Sequence, residues 1–204
     1  MKMEAELIWE KNLETKKVIR KELLKRRDNL NKEQREQWED MIFSNLLYQE
    51  EYRQAKQILL YISYQSEVST RRMLEYCLEQ KKKVYCPRVL SLDTMEYYEV
   101  KGLDDLKEGY RGIFEPVTSQ FFSKEEEALM ILPLTGFDIL GNRLGYGKGY
   151  YDRYLMNYSP LRTIGLAFQC QLWNSVLPAE PHDKRLDKII TEKQVYCFSH
   201  KQEG

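Results

Sequence analysis

The segment GNRLGYGKGYYDRYL, residues 141–155, gathers in one place the residue types that handle anions. Four of the chain's ten glycines fall in the nine residues from Gly141 to Gly149, interleaved with Arg143 and Lys148 and followed by Tyr150, Tyr151 and Asp152. Glycine lets backbone approach a ligand closely and take positive φ. Successive backbone N–H groups then form an anion-binding nest. A helix starting near Tyr150 adds free N–H groups and the positive end of its dipole. The spacing excludes the two common nucleotide fingerprints. Lys148 follows Gly147 as in a P-loop, but Asn142 stands at the first glycine position and Gly149 replaces the Ser/Thr. Gly145, Gly147 and Gly149 do not make G-x-G-x-x-G. Two readings stay open on these residues alone: a strand-to-helix turn with solvated cations, or a cradle for an anion. Asp152 has a bland reading too, because an acid in a first helical turn is favoured by the dipole.

The elements that position this loop read as an alternation of strands and helices. Leu7, Ile8, Val18, Ile19, Leu23 and Leu24 recur at helical spacing and predict a helix over 5–29. Asn31 reads as an N-cap, with Gln34 three positions on. It opens a second helix whose apolar face carries Trp38, Met41, Ile42, Leu46 and Leu47. QILLYIS (57–63) predicts a buried strand, and Ser69 a cap for a helix over 70–81 with Met73, Leu74 and Leu78 inward. Strands follow at 83–90, 95–100, 129–134 and 162–168, with IIT and VYCF as short final ones. The stretch 106–117, with two glycines and a proline, reads mostly as loop. The expectation is an α/β chain, a single domain over 1–204, with a mainly parallel sheet flanked by helices. Ligands bind beyond the carboxyl ends of strands in such sheets, and the glycine loop follows the most apolar one.

Composition narrows the function classes. Lys plus Arg equals Asp plus Glu at 32 each, so bulk charge does not point to nucleic acid. The longest apolar run, ALMILPL, is far short of the ~20 residues a bilayer needs. The charged N-terminus has no apolar core of a secretory signal. Cys77, Cys86, Cys170 and Cys197 form no C-x-x-C pair, which fits a reducing cytoplasm. His182 and His200 leave little material for imidazole chemistry.

LPLTGFDILGNRLGYGKGYYDRYL resembles, without a gap, the signature segment of the 5-formyltetrahydrofolate cyclo-ligase family, also called methenyltetrahydrofolate synthetases. KKVIRKELLKRR (16–27), YISYQSEVST (61–70), GYRGIFEP (109–116) and PAEPHDKRLDKIIT (178–191) resemble further family segments in the family's order. The resemblance implies a layered α/β sandwich related to sugar-phosphate isomerases and CoA transferases. It implies ATP- and Mg²⁺-dependent conversion of 5-formyltetrahydrofolate to 5,10-methenyltetrahydrofolate, by phosphorylation of the formyl oxygen and ring closure by N10. It further implies a cytoplasmic monomer with small-molecule substrates and neither nucleic-acid nor membrane partners.

Carried over by position, the resemblance makes Arg143 and Lys148 the catalytic cations. ATP is expected on Lys16, Lys17, Val18, Ile19 and Arg20, and on the loop Arg143, Leu144, Gly145, Tyr146, Gly147, Lys148, Gly149, Tyr150 and Tyr151. Folate is expected on Ile62, Glu67 and residues Tyr146 to Tyr150, and Mg²⁺ on Asp152 and Asp183. Without the resemblance, Lys16 and Arg20 are a solvated basic stripe, Ile62 is core, and Glu67 and Asp183 are solvent-facing acids near turns. Phe114 stands where many members carry proline, and residues 1–15 lengthen the N-terminal helix. Two other classes fit the residues less well: a sugar-phosphate isomerase or CoA-transferase-like enzyme, and an RNA-binding module using the basic helix.

Overall fold

The computed structural model describes residues 2–109, 112–180 and 183–198, with side chains of the first helix described from residue 15 onward. Helix α1 (Lys2–Asp28) runs straight into the N-cap of α2 (Lys32–Leu47), where the Asn31 side chain accepts the Gln34 N–H at 2.8 Å. Trp9 and the rest of the extension through residue 14 fall outside the described side chains. The buried face of α2 is Ile42, Phe43 and Leu46, whereas Met41 is exposed. Phe43 takes that place because it packs edge-on against Tyr76, at 5.5 Å between ring centres.

After the short α3 (Glu50–Gln54), strand β1 (Gln57–Leu60) enters the sheet. It ends at Leu60, three residues before the apolar run does, because the chain turns there toward α4 (Arg71–Glu79). The N-cap of α4 is Thr70 rather than Ser69. Its hydroxyl donates to the Tyr61 carbonyl at 2.8 Å, while the Ser69 N–H is taken by Glu39 at 3.0 Å. Met73, Leu74 and Cys77 are the buried positions of α4, with Leu78 half-buried.

Strands β2 (Lys83–Val89) and β3 (Met95–Val100) fall where the apolar pattern places them. The stretch expected to be loop instead folds as an antiparallel hairpin, β4 (Leu106–Glu108) with β5 (Phe114–Pro116). Its strands are only three residues long, too short for a periodicity to show. Tyr110 and Arg111 of the GYRGIFEP segment lie outside the described residues. Strand β6 (Leu129–Pro133) is followed by a second small hairpin, β7 (Gly136–Phe137) with β8 (Arg143–Leu144). Helix α5 (Tyr150–Asn157), β9 (Arg162–Leu166), β10 (Lys188–Ile190) and β11 (Val195–Cys197) complete the order.

Seven strands form one sheet in the order β11-β10-β9-β6-β1-β2-β3. The five central strands are parallel, and an antiparallel strand closes each edge. Side chains of a strand alternate between faces, so Leu59 joins the core that covers α5 while Ile58 and Leu60 join the core under α2 and α4. Both faces being covered explains why β1 and β6 read as unbroken apolar runs. No helix among the described residues is long and apolar enough to cross a membrane.

The strand order fixes where a ligand can sit. From β1 the chain passes through α4 to β2 on one side; from β6 it passes through α5 to β9 on the other. The connections leaving these adjacent strands therefore diverge, which opens a crevice beyond their carboxyl ends. One wall is the β1–α4 connection with Ile62 and Glu67. The other is the β7–β8 hairpin and the glycine loop.

Asp138 fixes the second wall. Its side chain is fully buried at the hairpin turn. Oδ1 accepts the N–H groups of Leu140 (2.9 Å) and Asn142 (3.0 Å), and Oδ2 accepts Asn142 Nδ2 (2.8 Å) and the Leu177 N–H (2.8 Å). Each buried donor left unpaired costs about 1–3 kcal/mol. Asp138→Ala should therefore lower the unfolding free energy by at least about 3 kcal/mol in urea, with the denaturant slope unchanged. A loss below about 1 kcal/mol would contradict this role.

Candidate functional site

The glycine loop leaves β8 at Leu144 and enters α5 through Gly149. Gly147 (φ 92°) and Gly149 (φ 67°) occupy the left-handed region, as the anion-loop reading expects, whereas Gly145 does not. Gly149 is the N-cap of α5 and carries no side-chain cap, so the first turn of that helix keeps its N–H groups for a ligand. Lys148 is exposed, and its ammonium meets no partner among the described residues. The Lys148 carbonyl, in contrast, is fixed: Arg153 Nη2 donates to it at 2.7 Å. Arg153 Nε donates to the Asp93 carbonyl at 2.7 Å, and the guanidinium lies 5.3 Å from the centre of the Tyr150 ring. The loop thus presents the exposed cation of Lys148 on a pinned backbone.

Helix α1 crosses this loop with a single stripe. Lys16, Ile19, Arg20, Leu23 and Arg27 follow helical spacing, and all are buried or half-buried. Ile19 and Leu23 pack with Leu144 and Leu177 in a small apolar cluster flanked by Trp173. Arg20 Nε donates to the Gly145 carbonyl at 2.7 Å, and a Cβ on Gly147 would lie 3.4 Å from its guanidinium. Burial lowers the pKa of Arg20. Lys17 and Val18 are exposed. The structure therefore brings Ile19 and Arg20 together with the loop, turns Lys16 to the C-terminal segment, and leaves Lys17 and Val18 exposed.

Lys16 bridges two acids of the C-terminal segment, Glu180 Oε1 at 2.6 Å and Asp183 Oδ2 at 2.7 Å. Burial pulls its pKa down, but the hydrogen bonds and charges of Asp183 and Glu180 outweigh that and raise it. Asp183 Oδ2 also accepts the Glu180 N–H at 2.8 Å. Arg143 is not a free cation. Its side chain is 5% exposed, with Nη2 on Asp152 Oδ1 at 2.8 Å and Nη1 on the Lys184 carbonyl. The Lys184 N–H reaches the same Asp152 oxygen at 3.2 Å. Both contacts fall on Oδ1, which leaves Oδ2 of Asp152 without a donor among the described residues.

No group of three or more metal-ligating side chains occurs among the described residues. Mg²⁺ takes one or two carboxylates and completes its shell with water and phosphate oxygens. An oxygen-only pair such as Asp152 and Asp183 fits that habit, with Asp152 Oδ2 the more open donor.

On the other wall, Glu67 is buried and its Oε2 accepts the Tyr64 N–H at 2.8 Å. Burial raises its pKa to about 7, against smaller lowering contributions from that hydrogen bond and from Arg27. Ile62 is half-buried against the core below it. Tyr151 packs between both core layers, and burial holds its phenol far above the ordinary value. Tyr150 is half-buried on one layer, with its hydroxyl 3.3 Å from the Ser91 carbonyl. Tyr146 is 40% exposed at the loop tip.

Four contributors escape a reading of the sequence: Asp138, Arg153, Glu180 and Arg27. The stripe of α1 carries a usable signal, since Arg27 follows Arg20 by two turns on the face set by Ile19 and Leu23. Glu180 carries none, because its partner Lys16 is 164 residues away. Pro181 and His182 lie outside the described residues.

A family model described as the 5-formyltetrahydrofolate cyclo-ligase family matches residues 12–192. The 5-formyltetrahydrofolate cyclo-ligase of Haemophilus influenzae is 37% identical over 186 residues, covering 88% of this chain and 98% of that protein. The mouse protein of the same name is 29% identical over 190 residues, covering 87% and 93%. Among solved structures, the 5,10-methenyltetrahydrofolate synthetase of Aquifex aeolicus superposes with a TM-score of 0.80 at 30% identity, over 93% of this chain and 95% of that one. The Mycoplasma pneumoniae synthetase gives 0.70 at 25% identity, over 87% and 98%.

The burial of Glu67 makes a pH prediction. Its folded pKa lies above the ordinary 4.5. Folding is therefore undisturbed by this group below pH 4.5 and loses stability as pH rises toward about 7, where the folded protein also ionises. The full effect is roughly 3 kcal/mol. Glu67→Gln, which stays neutral, should unfold at a higher temperature than wild type at pH 8 and show no such gain at pH 4. An equal difference at both pH values would contradict the assignment.

Proposed function

The chain belongs to the 5-formyltetrahydrofolate cyclo-ligase family, and from that membership we propose how its residues carry out the family reaction. It is an enzyme of folate one-carbon metabolism that closes 5-formyltetrahydrofolate to 5,10-methenyltetrahydrofolate at the cost of ATP. The observation that carries this reading is the placement of an exposed Lys148, with no side-chain partner among the described residues, on a pinned glycine loop across the crevice from Glu67.

The formyl oxygen attacks the γ-phosphorus of ATP, the bond to the ADP oxygen breaks, and ADP leaves. N10 then attacks the formyl carbon and gives up its proton to the departing phosphate or to water, the C–O bond breaks, and phosphate leaves with that oxygen. A formyl oxygen has no proton to lose, so the first step needs no general base. Phosphoryl transfer asks the protein mainly for positioning and charge neutralisation, which suits a site poor in histidine and rich in backbone N–H groups. Lys148 meets the transferred phosphoryl group. The loop amides from Leu144 to Tyr151 and the start of α5 wrap the phosphates, while Lys16 and Arg20 approach from α1. Arg143 adds charge to this cradle and orients Asp152. Glu67 and Ile62 take the folate, with Tyr146 and Tyr150 as its loop-side wall. Asp152 and Asp183 hold Mg²⁺, which when bound neutralises phosphate charge. We further propose that residues 1–204 act as one unit, a cytoplasmic monomer without nucleic-acid or membrane partners.

Supplying 5-formyltetrahydrofolate, ATP and Mg²⁺ should produce the absorbance of the methenyl product; no signal with all three present would refute the reading. Lys148→Ala should lose at least about 1000-fold in turnover, the scale of removing a main charge-stabilising donor, with an unchanged melting temperature. Near-wild-type turnover would remove Lys148 from its role. Chelation of divalent ions should stop turnover and Mg²⁺ should restore it. Activity that survives chelation would overturn the metal assignment to Asp152 and Asp183.

A further inference from the structure

Arg27 lies on the inward stripe of α1 and has no part in the reaction as proposed. Its side chain is fully buried, yet both side-chain partners are neutral hydroxyls. Nε donates to Ser66 Oγ at 2.9 Å and Nη2 to the Tyr146 hydroxyl at 2.5 Å. Nη1 is buried with no hydrogen-bond partner among the described residues. A buried guanidinium without a directly paired carboxylate, and with a whole terminal nitrogen and its two N–H donors unsatisfied, is costly. Leucine or methionine would fill the same space without that cost.

What the guanidinium does is join three segments. It sits on α1, Ser66 adjoins Glu67 on the β1–α4 connection, and Tyr146 is the exposed tip of the glycine loop. The ring of Tyr146 also lies 5.6 Å from the guanidinium carbon. Arg35 braces the same junction, with Nη1 on the Ser66 carbonyl (2.5 Å) and Nη2 on the Arg27 carbonyl (2.9 Å). Ser66 in turn donates to Asp28. The Tyr146 hydroxyl has no other hydrogen-bond partner among the described residues. Arg20 holds the loop backbone at Gly145, and Arg27 holds its tip, two helical turns farther along α1.

We propose that Arg27 is a positioning residue: through Tyr146 it ties the tip of the glycine loop to the Ser66–Glu67 segment and so sets the width of the folate side of the crevice. This rests on the folate reading above. The tether acts on binding of the formyl-folate and leaves Lys148 on its own anchor, Arg153.

Two variants and two readouts test it. Arg27→Met should raise KM for 5-formyltetrahydrofolate about tenfold, the scale of one charge-assisted hydrogen bond, while kcat and KM for ATP change less than about twofold, and Tyr146→Phe should raise the folate KM by a similar factor. The double variant should be no worse than either single one, because both remove the same bond. Additive losses, or a fall in kcat with KM unmoved, would overturn the proposal. Independently of any substrate, amide hydrogen exchange over 143–149 should quicken in both variants. Exchange at the wild-type rate in both would overturn the tether itself. Tyr146→Phe keeps the test available should Arg27→Met not fold. If the wild-type chain turns over no folate, the functional reading fails, while the exchange result still decides the tether.

Discussion

The site depends first on a carboxylate that does no chemistry. Asp138 is buried with no ion-pair partner among the described residues, and four N–H donors satisfy it instead. That is an expensive group to leave half-paired, so the backbone around it has little freedom. It binds the hairpin turn at Leu140 and Asn142 and draws the Leu177 segment onto the same point. Arg143 and Leu144 leave that hairpin in fixed directions as a result. Leu144 then joins Ile19, Leu23 and Leu177, which seats α1 across the loop. The anion loop is therefore a flexible-looking sequence hung between two rigid anchors, Asp138 before it and Arg153 after it.

Electrostatics follow from that geometry. Most cations near the crevice are committed: Lys16 to Glu180 and Asp183, Arg143 to Asp152, Arg20 to a carbonyl, Arg27 to hydroxyls. Lys148 is the exception, exposed on its fixed backbone. A site that transfers a phosphoryl group needs a strong, pre-placed positive field and little covalent chemistry. Distributing the charges in this way keeps the loop from repelling itself in the absence of substrate. It also places the two acids suited to a hard cation next to the basic residues that hold them in register.

Much of this was legible in the sequence, for physical reasons that differ by element. The buried parallel strands β1 and β6 announce themselves as apolar runs because both sheet faces are covered. The glycine loop announces itself because Gly147 and Gly149 need the left-handed region. The hairpins β4–β5 and β7–β8 do not, since strands of two or three residues have no period to detect. Met41 and Phe43 could not be ranked before the position of Tyr76 was known. The cap of α4 falls at Thr70, one residue after Ser69, where the hydroxyl is held by the Tyr61 carbonyl just after β1, a contact that local spacing does not announce. Pairings such as Lys16 with Glu180, or Arg27 with Tyr146, depend on how far-apart segments meet. Spacing alone made Asp152 a dipole partner, and the family resemblance made it a metal ligand. Its contact with Arg143 adds a third function, orientation within the loop.

The central claim is that ATP phosphates and the formyl oxygen meet over Lys148 in one crevice, with direct transfer between them. Isotopic labelling of the formyl oxygen with oxygen-18 tests it most directly. During turnover the released inorganic phosphate should carry one labelled oxygen for each ring closed. Unlabelled phosphate, with the label appearing in water, would contradict phosphorylation of the formyl group and with it the assigned geometry of the site.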